Sequence, residues 1–231
     1  MKKINAFTLA EVFHPAGQAK RTAFTLAEVL ITLGIIGVVA ALTMPSLIVK
    51  HRKQVVVEKL KKTSSALLQA YNMAKLDYGD SNRERFTPLN GDIALEMFNK
   101  YYVPYMKFLK VEKGQKGVYG YLADGTVIYF FKSRETNDPT TTWNCTYIAV
   151  CINEKACENL DSNVDASASN VANGKDVFGL YIDGKIPTWH FIYSTHEEII
   201  ERCKNNNSIE ACSALIFEAG WKIPDDYPIK F

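Results

Sequence analysis

Residues 24–49, FTLAEVLITLGIIGVVAALTMPSLIV, make an apolar run of 26 residues carrying one charge, Glu28. Wound as a helix, such a run is roughly 39 Å long, enough to cross the ~30 Å hydrocarbon core of a bilayer. The uncharged stretch 29–49 supplies 21 residues by itself, and a helix buried in a soluble core rarely runs that far without a polar face. The sequence therefore predicts a membrane-spanning segment. Lys2, Lys3, Lys20 and Arg21 against Glu11 give the first 23 residues a net charge of +3, which favours holding that side in the cytoplasm. Lys50, Arg52 and Lys53 follow the span at once, so charge counting alone leaves orientation open.

The order of features is more specific than the charge. A basic leader and small Ala23 are followed by Phe24-Thr25-Leu26-Ala27-Glu28, which opens the apolar helix, and Pro45 lies 21 positions after Phe24. This arrangement resembles the processing site of type IV prepilins and type II secretion pseudopilins. The resemblance implies that a prepilin peptidase/methylase cuts between Ala23 and Phe24 and methylates the new amine. It implies further that Glu28 pairs with the N-terminal amine of a neighbouring pilin or pseudopilin subunit, and that Pro45 marks a helix break. Independently of any family, a lone carboxylate in a bilayer is costly and normally has a partner and a function. Two departures stand out. The family usually has Gly where this chain has Ala23, and AFTLAEV occurs twice, at 6–12 and 23–29. Only the second copy leads into an apolar run. The rival is an ordinary secretory signal peptide with Lys20-Arg21 as its basic end, 29–38 as its apolar core and a cut after Ala41, releasing a soluble domain.

Beyond the span, Val57, Leu60, Ser64, Leu67, Tyr71, Ala74 and Tyr78 recur at alternating steps of three and four, a helical stripe. The helix is expected to continue as an amphipathic segment over 50–80. Lys50 to Lys62 reads as a solvated basic face near lipid headgroups. No aromatic residues interleave it for stacking on bases, and the chain's net charge of +2 gives no global reason to expect nucleic acid. Residues 92–110 have helical composition, divided by Pro104. Strands are expected at 118–122, 126–131, 146–152, 177–182 and 188–193, with Asp124-Gly125 and Asp183-Gly184 as turns. Helices are expected at 196–204 and 208–219.

All five cysteines, Cys145, Cys151, Cys157, Cys203 and Cys212, follow the span, which agrees with an oxidising side of the membrane. Cys203 and Cys212 bracket a short polar loop and are the first expected pair. Cys151–Cys157 is the first choice among the rest and Cys145–Cys157 the second. A zinc site from Cys203, Cys212 and His196 is the rival, although no CxxC spacing is present. Asp161, Asn163 and Asp165 place oxygens at alternate positions, as calcium loops do, but Ala166 and Ala172 stand where an EF-hand needs Gly and Glu. Major pseudopilins bind calcium in a loop near this point. No nucleophile constellation or phosphate-binding loop appears, so neither an enzyme nor a cofactor is expected.

The expected fold is α+β and pilin-like: a long N-terminal transmembrane and amphipathic helix packed on an antiparallel sheet, with C-terminal helices. The expected organisation is a leader at 1–23, an assembly helix at 24–49, its amphipathic continuation at 50–80 and a head at 81–231. Such a subunit would sit in the bacterial inner membrane as a single pass with its head outside the cytoplasm. The alternative is a secreted or anchored periplasmic binding domain that never polymerises.

Overall fold

A computed structural model describes residues 24–79, 90–133, 145–158, 160–163, 171–181, 195–205 and 208–231. In chain order these form helix α1 (Leu26–Tyr78), helix α2 (Gly91–Tyr101), strands β1 (Lys110–Lys113), β2 (Gly117–Tyr121), β3 (Val127–Ser133) and β4 (Cys145–Cys151), and a 3-10 turn (Glu154–Cys157). The short helix α3 (Leu160–Asn163), strand β5 (Val177–Tyr181), and helices α4 (His196–Lys204) and α5 (Ala211–Glu218) follow. The chain divides into two compact units, Met1–Ser46 and Leu47–Phe231.

In the first unit the described residues are the exposed N-terminal part of α1. Its apolar side chains have no protein cover: Leu26 is 77% exposed and Leu42 76%. No break occurs at Pro45, which lies inside α1. The ring removes one backbone hydrogen bond, a loss that an apolar helix with strong neighbouring turns tolerates. Thr43 Oγ1 and Ser46 Oγ donate to the carbonyls of Val39 and Thr43, at 2.9 and 3.0 Å.

In the second unit the five strands form one antiparallel sheet in sequence order. Alternation along β3 decides what each face meets. Ile128 and Phe130 join Val118, Ile148, Val150, Phe178 and Leu180 against α1 and α2. Val127, Tyr129 and Phe131 join Ala149, Cys151 and Val177 on the opposite face, where Leu160, Val171, Ala172 and Ile209 pack. With both faces covered, β5 is buried at every position. The α1 stripe is wider than its sequence spacing suggests: Val56, Thr63 and Ala70 are buried beside Leu60, Ser64, Leu67, Tyr71 and Ala74. Tyr78, expected on that stripe, is half exposed in the last turn.

The Asp124-Gly125 hairpin forms as a tight turn. Gly125 takes φ 77°, Leu122 N–H donates to the Thr126 carbonyl, and Asp124 Oδ1 accepts from Thr126 N–H at 3.1 Å. The expected helix over 92–110 ends instead at Tyr101, because Pro104 can neither extend it nor leave its predecessor helical. Its second piece is absent. Residues 110–113 extend as β1, paired with β2 through Lys110↔Tyr121 and Lys113↔Val118; the local composition carries no β alternation, so the partner strand decides the conformation. The last helix begins at Ala211 rather than 208. The strand expected at 188–193, the Asp183-Gly184 turn and His190 lie outside the described residues.

Three cations of α1 hold the turns at one end of the sheet. Lys59 Nζ donates to the carbonyls of Asp124 and Ile152, both at 2.8 Å. Lys62 meets Asp124 at 2.8 Å and Arg52 meets Asp176 at 2.8 Å. Burial alone pushes the Asp124 carboxyl up, but the bonds from Lys62 and Thr126 outweigh it and hold its pKa at about 2. Exposed ion pairs contribute little by themselves, whereas a half-buried ammonium shared by two carbonyls leaves both acceptors stranded when removed. Lys59→Met is accordingly expected to lower unfolding stability by about 1–3 kcal/mol, read as a shift in the urea midpoint of the detergent-solubilised chain. An unchanged midpoint would show that water replaces the ammonium without loss.

Candidate functional site

The N-terminal end of α1 carries the groups singled out for processing and assembly, apart from Ala23, which lies outside the described residues. Phe24 is 82% exposed. Thr25 and Glu28 form a reciprocal cap on the first turn: Glu28 N–H donates to Thr25 Oγ1 at 3.2 Å. Glu28 Oε2 accepts from Thr25 N–H and from Thr25 Oγ1, both at 2.8 Å. The T-x-x-E spacing of 25–28 is the sequence signature of such a capping box, and it was the available signal for Thr25, which sequence reasoning passed over. The carboxylate is thus engaged by its own helix end while it remains exposed on a helix without protein cover. Aligned backbone amides at a helix N-terminus further favour a negative charge there.

Among the described residues the cysteines form two bridges. Cys151 is joined to Cys157, linking the end of β4 to the 3-10 turn, and Cys203 is joined to Cys212, linking α4 to α5. Cys145 opens β4. His196, the third member of the rival zinc set, turns to carboxylates instead: Nε2 lies 2.9 Å from Asp226 and Nδ1 3.6 Å from Glu218. The hydrogen bond with Asp226 raises its pKa; burial opposes that shift without cancelling it, and Glu218 adds a lesser push upward. Among the described residues no group of three His, Cys, Asp or Glu side chains is arranged to hold a metal.

Asp161 differs most from its sequence reading. Its carboxylate accepts from the backbone N–H groups of Gln115, Lys116 and Gly117, at 2.7, 2.9 and 3.2 Å, and from the Tyr129 hydroxyl at 2.7 Å. Its own N–H donates to the Tyr119 hydroxyl at 3.0 Å. A side chain at position 114 would collide with this carboxylate, since a Cβ on Gly114 would stand 2.6 Å from Asp161 Oδ1. The Asp161 oxygens, which a calcium loop would offer a cation, are therefore committed to the β1–β2 turn and Tyr129. Asp165 lies outside the described residues. Burial pushes the Asp161 carboxyl up, but the bonds from Tyr129 and the three amides outweigh it and hold it below its ordinary value.

Comparison with known proteins divides the chain near the point where the apolar run ends. Residues 18–44 match the model of the prokaryotic N-terminal methylation motif, the signal of type IV pilins and pseudopilins. Residues 46–231 match a family of unknown function (DUF6613). No curated protein and no solved structure matches the chain. The motif, the apolar helix it opens and the α+β head make the chain pilin-like, and its match over residues 46–231 places it in the DUF6613 family.

Proposed function

We propose that the chain is the precursor of a structural pilin or pseudopilin subunit, cut between Ala23 and Phe24, methylated at Phe24 and assembled into a type IV pilus-like or type II secretion filament. The observation that carries this reading is the methylation motif at 18–44 opening a helix long and apolar enough to cross a membrane. Residues 1–23 act as the leader, 24–49 as the membrane and assembly helix, 50–80 as its continuation, and 81–231 as the head. The prepilin peptidase/methylase works at the leader, and other pilin or pseudopilin subunits meet the assembly helix. The subunit crosses the bacterial inner membrane once, head outside the cytoplasm, where the Cys151–Cys157 and Cys203–Cys212 bridges persist. Its chemistry is self-association, with no catalytic step of its own.

Intact mass of the membrane-extracted protein tests this. A chain beginning at Phe24 with one added methyl group is expected. A chain beginning at Leu42 would establish signal-peptide cleavage and end the filament reading.

A further inference from the structure

The tertiary structure assembles a basic patch that no stretch of sequence contains. Lys50, Arg52 and Lys53 follow the apolar run directly in α1, about 1.5–6 Å beyond Val49 at helical rise, within a headgroup layer about 5–7 Å deep on each side of a bilayer. Two parts of the head are tied to these residues. Arg52 binds Asp176 at 2.8 Å, which brings the chain at neighbouring Lys175 to the same region. Lys53 Nζ stands 5.9 Å from the centroid of the Phe231 ring, which brings exposed Lys230 to the same region. The two parts are also tied to each other, because the Tyr227 hydroxyl donates to the Gly174 carbonyl at 2.6 Å. The turn carrying Lys175 is rigid: Asn173 Oδ1 accepts from the N–H groups of Lys175, Asp176 and Val177 at 2.8–2.9 Å. The carboxylate adjoining Lys175, that of Asp176, is taken up by Arg52.

We infer that Lys50, Lys53, Lys175 and Lys230, with Arg52 neutralising Asp176 among them, form a docking surface for anionic phospholipid headgroups on the leaflet from which α1 emerges. Phosphates at that depth meet cations carried by three separated segments, so the head is held against the membrane by its base as well as by the helix. Each lysine near an anionic surface strengthens such contact about fivefold, and salt screens it. The inference rests on the membrane reading proposed above.

The test uses the full chain reconstituted in vesicles of phosphatidylcholine alone or with phosphatidylglycerol, treated with an amine-acetylating reagent and analysed by peptide mass. Acetylation of Lys175 and Lys230 is expected to slow about fivefold in the anionic vesicles, relative to Lys204 in α4, and to recover at high salt. In the K175Q/K230Q variant, which alters only surface side chains, the protection of Lys53 should shrink. Equal acetylation in both lipids, from a chain that sediments with both, overturns the patch and leaves membrane anchoring intact. A chain that sediments with neither vesicle overturns the membrane reading itself. Protection that follows protein density instead of headgroup charge would mean that a second copy covers this surface, and protection reproduced by inorganic phosphate in phosphatidylcholine vesicles would mean a free anion. Either result overturns the lipid assignment.

Discussion

Glu28→Ala is expected to leave cleavage and membrane insertion intact and to stop incorporation of the subunit into filaments. In an isolated subunit the Glu28 carboxylate already has partners, the Thr25 N–H and hydroxyl. Losing that cap removes about 1 kcal/mol from the first turn, too little to unfold a helix of 53 residues. Assembly is different in scale. There the carboxylate would meet the amine of Phe24 on a neighbouring subunit, in lipid, and removing one member of a buried pair strands the other at about 3–5 kcal/mol. That corresponds to a loss of roughly two to three and a half orders of magnitude in incorporation, since about 1.4 kcal/mol is a factor of ten. Glu28→Asp keeps the charge on a shorter arm and should weaken incorporation less. The measurement is intersubunit crosslinking, or recovery in sheared filament fractions, against total membrane protein. Wild-type assembly by Glu28→Ala would make Glu28 an interfacial bystander.

The second large effect belongs to the head. Asp161→Ala should destabilise it by about 3 kcal/mol, because three backbone amides and the Tyr129 hydroxyl lose one shared charged acceptor and stranded donors cost about 1–3 kcal/mol each where water does not reach them. Asp161→Asn keeps one carbonyl oxygen but turns an amide toward donors, so it should lose less at neutral pH. The pH dependence separates charge from shape. A carboxyl held below its ordinary value stabilises the fold fully above the unfolded value near about 4, and that stability is lost as pH falls through the folded value. The gap between wild type and Asp161→Asn, measured by denaturant unfolding, should therefore narrow below about pH 4. A gap that stays constant into acid would show that the Asp161 charge contributes nothing. Retention of full stability by Asp161→Ala would return the residue to a solvent-exposed loop role.

Much of this chain is legible without its structure because the informative signals are local. The 26-residue apolar run, the Phe24-to-Glu28 order and the 3–4 periodicity of Leu60, Leu67 and Ala74 are properties of adjacent residues, and a helix expresses such periodicity within a few turns. The Asp124-Gly125 hairpin was legible for the same reason, a positive φ being needed where glycine stands. What the sequence left open depends on groups far apart in the chain. Residues 110–113 become a strand only because β2 offers a partner edge. Asp161 looks like a metal-loop residue until the β1–β2 turn presents three amides to it. Lys59 belongs to a solvated basic run in sequence and to two carbonyls in space. Which acceptor a charged side chain meets is set by the folding of the sheet against α1, and no local pattern records that choice.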